Sequence, residues 1–399
     1  MTDPKSPSER SAPAVTEAEA ARAIAEAARS LAGLSASTLV PPQIASMTPY
    51  TPGRPWRLLA KELQVPEQDL CLLAANENVI GPSKLGIEGA KVALEEVNLY
   101  PDGGSIALRE ALAERHGVSP DHIAVGNGSN EIIELLVRTF VGPGETVVTA
   151  WPSFVVYRLV TQAAGREILI APLRDDRYDL SALAALVDQR TKIVFIANPN
   201  NPTGTYVPRR QLAAFLDRIP RSVIVVLDEA YHEYVVAEDY PDGVRDFRAH
   251  PRLVVLRTFS KAFGLAGLRI GYGVMDPSLV RFMDCVRQPY NTSTVAQAAA
   301  LAALNDDAHL RTSQRLVREG MTLLTERFTA LGLEVVPSQA NFLLVKLGRA
   351  AAPLVEAMKK RGVLVRDMRG YDLPETIRMT VGSRAQNLVA AELLEELLA

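Results

Sequence analysis

Short apolar runs alternate with amphipathic stretches from about residue 80 to about residue 310. Near-continuous runs of valine, isoleucine and leucine predict buried strands, and apolar residues at helical spacing predict the helices between them. The predicted strands are 146–150, 168–171, 192–197, 223–227, 253–256 and 270–274. The predicted helices are 106–116, 131–140, 154–163, 180–187 and 209–218. This alternation indicates an α/β fold with a mostly parallel central sheet covered by helices.

The pattern changes after about residue 310, where a long predicted helix over 311–330 leads into shorter elements. The predicted strands there are 333–336, 342–346, 363–365 and 377–380, with a helix near 353–361 and a final helix at the end of the chain. We therefore expect a large domain over 79–310 and a smaller α+β domain over 311–399. Residues 43–78 are expected to form an N-terminal arm and part of the small domain.

Residues 1–42 are predicted to be a flexible tail, because the first 14 positions or so are rich in proline, serine and charge. The run Thr16-Glu17-Ala18-Glu19 has a capping-box pattern and predicts a helix over 17–31. A transit peptide is the competing interpretation, but the glutamates in this stretch argue against it.

Composition narrows the function classes. The chain has 399 residues, 48% of them hydrophobic and 22% charged, with a net charge of −3, so it offers no general field for nucleic acid or an anionic membrane. Its two cysteines, Cys71 and Cys285, make no disulfide framework, and neither they nor the five histidines show metal-ligand spacing. With no apolar run of transmembrane length and no signal peptide, we expect a cytoplasmic protein without a bound metal.

The run from Thr258 to Arg269 carries the strongest candidate chemistry. Lys261 follows a predicted strand, with Ser260 beside it and Arg269 eight positions later. A lysine in this setting suits a Schiff base with an aldehyde cofactor, and the hydroxyl and guanidinium suit a phosphate. Because Ser-Lys is a common dipeptide, a surface lysine is an equal alternative for the motif alone.

Two turns at other strand ends are compatible with the same chemistry. Gly126-Asn127-Gly128-Ser129-Asn130-Glu131 precedes an apolar helix, whose free N–H groups would favour a phosphate. A plain helix-capping turn explains this motif equally well. Asn198-Pro199-Asn200-Asn201-Pro202-Thr203-Gly204 follows a strand; it suits a loop, although its asparagines could also bind a cofactor ring oxygen.

An acidic residue follows the most apolar strand. Asp228 comes directly after Val223–Leu227 and begins the run Asp228-Glu229-Ala230-Tyr231. A carboxylate is costly to bury without a cationic or hydrogen-bonding partner. A pyridinium nitrogen would be one such partner, and a magnesium ion is the rival explanation.

Together and in this order, the four motifs resemble the signature of fold-type I pyridoxal-phosphate enzymes, the aspartate aminotransferase superfamily. More narrowly, the chain resembles the histidinol-phosphate aminotransferase family from about residue 47 to residue 398. Supporting runs are Met47-Thr48-Pro49-Tyr50, Ala75-Asn76-Glu77-Asn78, Tyr100-Pro101-Asp102-Gly103-Gly104, Pro152-Ser153-Phe154 and Arg378-Met379-Thr380-Val381-Gly382.

The resemblance implies pyridoxal 5′-phosphate as cofactor and a role for each matched residue. Lys261 would form the Schiff base and shuttle the substrate proton, and Asp228 would pair with the pyridinium nitrogen. Tyr231 and Asn201 would hydrogen-bond the ring hydroxyl. Phe154 would stack on the ring, although without the family match a core position suits it better.

The resemblance also implies how the phosphate is held. Ser129 and Asn130, with Ser260 and Arg269, would bind the cofactor phosphate of their own subunit. Tyr100 would reach the cofactor phosphate of a partner subunit. The chain is therefore expected to form a homodimer with shared active sites.

For the substrate, the resemblance implies two C-terminal arginines that bind its anionic group. Arg366 and Arg378 match their positions, although a structural salt bridge would explain either one alone. Tyr50 matches a tyrosine that closes over the substrate, and Asn76 is a further expected substrate-binding residue.

The expected reaction is a ping-pong transamination that takes the amino group of glutamate, releases 2-oxoglutarate and passes the amine to an oxo acceptor. Histidinol phosphate and imidazole acetol phosphate are the favoured pair, which implies a place in histidine biosynthesis. An aromatic amino-acid aminotransferase, a threonine-phosphate decarboxylase-like lyase and an aminotransferase-like transcription regulator are the alternatives. The sequence departs from the family pattern at Asn78-Val79-Ile80-Gly81-Pro82 and Tyr290-Asn291-Thr292-Ser293-Thr294, which leaves the substrate open.

Overall fold

The computed structural model describes residues 39–49, 55–247 and 249–398. The chain divides into two compact units, Met1–Pro49 and Tyr50–Ala399. In the described part of the first unit, the helix α1 (Pro42–Ala45) contains no buried residue. The helix predicted over 17–31 lies outside the described residues, and so does Tyr50.

The second unit contains all the strands of the described residues. They are β1 (Cys71–Leu72), β2 (Ile123–Gly126), β3 (Thr146–Trp151), β4 (Glu167–Arg174), β5 (Arg177–Tyr178), β6 (Thr191–Ala197), β7 (Ile224–Asp228), β8 (Leu253–Thr258), β9 (Gly271–Val274), β10 (Glu334–Val336), β11 (Phe342–Lys346), β12 (Val363–Leu364), β13 (Arg366–Asp367) and β14 (Thr376–Thr380). Its helices are α2 (Trp56–Leu63), α3 (Lys84–Ala93), α4 (Ile106–His116), α5 (Ser129–Phe140), α6 (Val156–Ala163), α7 (Leu180–Leu186), α8 (Arg209–Arg218), α9 (Gly243–Phe247), α10 (Pro277–Asp284), α11 (Thr294–Ala303), α12 (Asp307–Ala330), α13 (Ala351–Lys360) and α14 (Arg384–Leu398).

The central sheet has eight strands in the order β2-β9-β8-β7-β6-β3-β4-β5. The strands from β8 to β4 run parallel, and the pairs β2–β9, β8–β9 and β4–β5 are antiparallel. Both β7 and β8 are buried along their whole length, as their apolar sequences predict. The predicted α/β architecture with a mostly parallel sheet is confirmed.

The sequence pattern missed the pair of helices α3 and α11. Their contact is built from small residues, and a Cβ atom added to Gly89 would lie 2.8 Å from the Ala298 carbonyl oxygen. Close approach of two backbones through glycine and alanine leaves no stripe of large apolar side chains, so the helical period is weak in the sequence. Strand β2 was also missed, because four residues carry too short an alternation to recognise.

Two smaller sheets lie within the same unit. One is antiparallel in the order β10-β11-β14-β13, and the other pairs β1 with β12 in parallel. Helix α12 contributes Leu310 and Val317 to the main hydrophobic core, and Leu324 and Phe328 to a second core with β11 and β14. A domain boundary at residue 310 stays a prediction. None of the helices in the described ranges is both long and apolar enough to cross a membrane.

Candidate active site

A cavity of about 500 Å³ lies at the carboxyl ends of the central parallel strands. Its predicted lining residues are Asn76, Ser129, Asn130, Phe154, Asn201, Asp228, Tyr231, Ser260, Lys261, Arg269, Arg366 and Arg378. The strand register explains part of this convergence, because Asp228 in β7 lies opposite Ala197 in β6 and Leu256 in β8. The turns that follow neighbouring parallel strands therefore lie at the same edge of the sheet.

Lys261 lies in the turn that follows β8. Its Nζ donates to the Asn76 carbonyl oxygen at 3.1 Å and lies 5.6 Å from the centre of the Tyr231 ring. Burial, together with the nearby Arg378 guanidinium, lowers the pKa of the Lys261 amine to about 8. A lysine with a lowered pKa has a larger neutral fraction, which is the form that attacks a carbonyl carbon.

Asp228 is the last residue of β7 and is buried. Its Oδ2 accepts a hydrogen bond from the Tyr157 hydroxyl at 2.8 Å, and its Oδ1 accepts one from the Ala230 N–H at 3.2 Å. Burial raises the pKa of the carboxyl to about 6, although both hydrogen bonds oppose this shift. A carboxyl group in this position is suited to a cationic partner in the cavity.

The turn before α5 and the turn after β8 present groups that could hold an anion. Helix α5 begins at Ser129 without a side-chain cap, and Arg269 Nη1 lies 3.5 Å from Ser260 Oγ. A Cβ atom on Gly128, which has a φ of +73°, would lie 2.5 Å from Arg269 Nη2, so glycine is required there. We call the site formed by Ser129, Asn130, Ser260 and Arg269 the phosphate cradle, because N–H groups and a guanidinium converge on it.

Polar side chains on another part of the cavity wall are tied to one another. Asn76 Nδ2 donates to the Tyr231 hydroxyl at 3.0 Å, and burial raises the pKa of that phenol to about 12. Arg378 donates from Nη1 to Asn201 Oδ1 at 2.5 Å and from Nη2 to the Ala74 carbonyl oxygen at 3.0 Å. These contacts hold the hydrogen-bonding groups of this wall in fixed positions.

The two predicted substrate arginines are direct neighbours. Arg366 in β13 lies opposite Arg378 in β14, in the register of the four-stranded sheet. Arg378 is buried, whereas Arg366 is half-buried. The guanidinium of Arg366 has no hydrogen-bonding or ion-pair partner within the described parts of the chain. The structural salt bridge considered for Arg366 is therefore not present there, and its guanidinium remains available to an anion in the cavity.

Phe154 lines the cavity but precedes α6, whereas the sequence pattern placed it inside a helix. Its ring meets the edge of Tyr157 at 5.6 Å between centroids, and Tyr157 stacks on Phe195 at 4.6 Å. Sequence reasoning missed Tyr157, because an aromatic residue in a predicted helix is typical of a core position. It also missed Tyr371, which lines the cavity from the end of a three-residue 3₁₀ helix without a recognisable motif.

The described structure does not place the predicted residue Tyr100 in the cavity of its own chain. Tyr100 is 82% exposed, and its ring stacks on Tyr290 at 4.8 Å between centroids. A role in its own subunit's site is therefore excluded by position, whereas a role toward a partner subunit stays a prediction. The placement of Tyr50 lies outside the described residues.

The sequence is similar to those of known aminotransferases over most of its length. A family model described as aminotransferase class I and II matches residues 68–394. The chain is 50% identical to a histidinol-phosphate aminotransferase of Anaeromyxobacter sp. over 88% of its own length and 96% of that protein. It is 44% identical to histidinol-phosphate aminotransferase 2 of Pseudomonas fluorescens, over 90% of its own length and 98% of that protein.

The fold is similar to that of a solved aminotransferase structure. The crystal structure of histidinol-phosphate aminotransferase from Sinorhizobium meliloti, in complex with pyridoxal 5′-phosphate, superposes with a TM-score of 0.82. The sequences of the two proteins are 29% identical, and the match covers 90% of this chain and 98% of the other.

Proposed function

Because the chain belongs to the class I and II aminotransferases and, within them, to the histidinol-phosphate aminotransferase family, we propose that it transfers an amino group between glutamate and imidazole acetol phosphate. Histidinol phosphate and 2-oxoglutarate are the products, and pyridoxal 5′-phosphate is the cofactor. One observation carries this proposal: the amine of Lys261, the carboxyl of Asp228 and the guanidinium of Arg366 line one cavity.

The cavity fits this cofactor chemically. The phosphate cradle presents an uncapped helix N-terminus and the Arg269 guanidinium, and a Cβ at Gly128 would collide with that guanidinium. The buried carboxyl of Asp228 suits a protonated pyridine nitrogen, and Lys261 suits an aldehyde carbon. The three groups correspond to the phosphate, the ring nitrogen and the aldehyde of one pyridoxal phosphate molecule.

When bound, pyridoxal phosphate withdraws electrons from the substrate's α carbon and so makes its proton removable. The chain supplies the proton carrier, because the pKa of about 8 leaves a fraction of Lys261 neutral at neutral pH. Asp228 would stabilise positive charge on the ring nitrogen, and Tyr231 and Asn201 present hydrogen-bonding groups in the same cavity. Arg366 and Arg378 bind the anionic end of the substrate.

The reaction is tested by three assays on the purified protein supplied with pyridoxal phosphate. We expect 2-oxoglutarate to form from glutamate and imidazole acetol phosphate, with a kcat/KM at least about tenfold above that with phenylpyruvate as acceptor. We expect no carbon dioxide from threonine phosphate. Faster turnover of phenylpyruvate would favour the aromatic aminotransferase, and carbon dioxide release would favour the lyase.

The same assay tests the anion-binding role of Arg366. We expect Arg366→Gln to raise the KM for imidazole acetol phosphate by about 10- to 100-fold, because a charge-assisted hydrogen bond to the substrate is lost. The matched control is Arg369→Gln, since Arg369 is exposed and pairs with Asp367 at 2.6 Å outside the cavity. Equal KM values for the two variants would remove Arg366 from the substrate site.

We further propose that the protein is a homodimer in which Tyr100 completes the phosphate cradle of the partner subunit. Val97, Leu99 and Tyr100 are all exposed, and a cluster of exposed apolar side chains close together in the chain is typical of an interface. A second copy is the fitting occupant, because Tyr100 is exposed and does not line the cavity of its own chain. We also propose a cytoplasmic location, which agrees with the two free cysteines.

Light scattering tests the dimer. We expect the unmodified protein to have twice the chain mass of 43.3 kDa, and Leu99→Glu to shift the population toward the monomer by burying a charge in the interface. Val389→Glu introduces the same change at an exposed apolar position of α14 and should leave the dimer intact. A monomeric unmodified protein, or an unchanged mass for Leu99→Glu, would contradict this interface.

A further inference from the structure

We propose that Tyr157 is a positioning residue, which fixes both the Asp228 carboxylate and the Phe154 ring against the cofactor's pyridine ring. It lies in the first turn of α6, apart from every motif that the sequence pattern singled out. The inference rests on the proposed aminotransferase function, because it concerns how this chain holds the cofactor of that reaction.

The first step is the contact with Asp228. The Tyr157 hydroxyl donates to Asp228 Oδ2 at 2.8 Å, while the backbone N–H of Ala230 donates to Oδ1 at 3.2 Å. Each carboxylate oxygen therefore accepts one hydrogen bond from the protein. The two hydrogen bonds together fix the orientation of the carboxylate plane. In the described residues, the Tyr157 hydroxyl is the only side-chain group that donates a hydrogen bond to Asp228.

The second step is the immobility of Tyr157 itself. Its side chain is fully buried, and its ring stacks on Phe195 with 4.6 Å between centroids and 3° between planes. Phe195 lies in β6, the strand next to β7 in the sheet. The phenol is thus held by the sheet and has no freedom to leave Asp228 without opening the core.

The third step is the contact with Phe154. The two rings meet edge to face, with 5.6 Å between centroids and 85° between planes, and Phe154 lines the cavity. One side chain therefore touches the group expected to bind the ring nitrogen and the group expected to stack on the ring. A hydrogen bond from Tyr157 also stabilises the ionised carboxylate, because it opposes the increase in pKa that burial causes.

The test is a titration of the apoprotein with pyridoxal phosphate. Quenching of the protein fluorescence measures how much cofactor is bound. We expect Tyr157→Phe to weaken the cofactor Kd by roughly ten- to hundredfold, because a hydrogen bond to a buried charged group is lost while the ring remains. In steady-state assays we expect kcat to fall about tenfold with little change in the KM for either substrate.

The matched control is Tyr178→Phe. Tyr178 is another buried tyrosine, whose hydroxyl lies 2.6 Å from Ser153 Oγ and is not bonded to Asp228. We expect Tyr178→Phe to lose about as much thermal stability as Tyr157→Phe. We expect it to keep the cofactor Kd of the unmodified protein. Equal cofactor affinity of the two tyrosine variants would overturn the positioning role and leave Tyr157 as a packing residue.

A double-variant cycle tests whether Tyr157 acts through Asp228. In an Asp228→Asn background, Tyr157→Phe should have little further effect on the cofactor Kd, because the charged acceptor is gone. Additive effects of the two substitutions would overturn the proposal. If the unmodified apoprotein binds no pyridoxal phosphate, the proposed function itself fails, which distinguishes that outcome from a failure of Tyr157 alone.

Discussion

Lys261→Ala is expected to lower transamination by at least about 10³-fold and to abolish the visible absorbance of the lysine-bound cofactor. The physical reason is that Lys261 is a cavity-lining amine whose pKa is lowered to about 8 by burial, so we expect it to supply both the covalent bond and the proton carrier. Absorbance spectra and initial rates of 2-oxoglutarate formation measure the two effects on the same preparation.

Two further variants separate the covalent role of Lys261 from its charge. Lys261→Arg keeps the positive charge but has no amine that could bond to the aldehyde, so we expect it to be as inactive as Lys261→Ala. Lys359→Ala removes a lysine that pairs with Glu356 in α13, outside the cavity, and should keep full activity. Retained turnover in Lys261→Ala would refute the role of Lys261 as the amine that bonds to the cofactor.

Arg257→Met is expected to lower the free energy of unfolding by about 3–5 kcal/mol, because it leaves a buried carboxylate without its partner. Arg257 and Glu229 are both buried, and Arg257 Nη2 lies 2.7 Å from Glu229 Oε2 and 3.0 Å from Asp242 Oδ1. Burial raises the pKa of Glu229 to about 7 even with the guanidinium present. Urea unfolding of the apoprotein measures the loss.

The matched control for this ion pair is Arg327→Met. Arg327 Nε lies 2.6 Å from Glu395 Oε1, but both side chains are about one-third exposed. Because water solvates Glu395 once its partner is removed, we expect a loss of only about 0–1 kcal/mol. Similar losses for the two variants would show that the buried pair between β8 and the residue after β7 does not stabilise the fold as argued.

The ion pair also shows why a motif can be read only in part from the sequence. Asp228 and Glu229 are adjacent acids after one strand, and the sequence pattern predicted a partner only for Asp228. In the structure, Asp228 faces the cavity and Glu229 accepts hydrogen bonds from Arg257 in β8. The second partner was not predictable, because it depends on which strand lies beside β7.

Helix boundaries show the same limit at a smaller scale. Helices α4 and α8 begin and end where the apolar period predicts, because each buries a stripe of large side chains. Helix α6 begins two residues later than predicted, and this displacement leaves Phe154 in the preceding loop beside the cavity. The apolar residues next to Phe154 in the sequence suit a helix. The local sequence pattern does not specify the contact between Phe154 and Tyr157.

The sequence alone singled out most of the polar residues that line the cavity, since many of them belong to short motifs at the end of an apolar run. Lys261, Asp228 and the glycine turn before Ser129 were recognisable there, because a strand that ends in polar groups has a local signature. The tertiary structure alone decided what those residues touch. Tyr157 reaches Asp228 across 71 positions of the chain, and Arg366 lies beside Arg378, through strand order and register that no local period encodes.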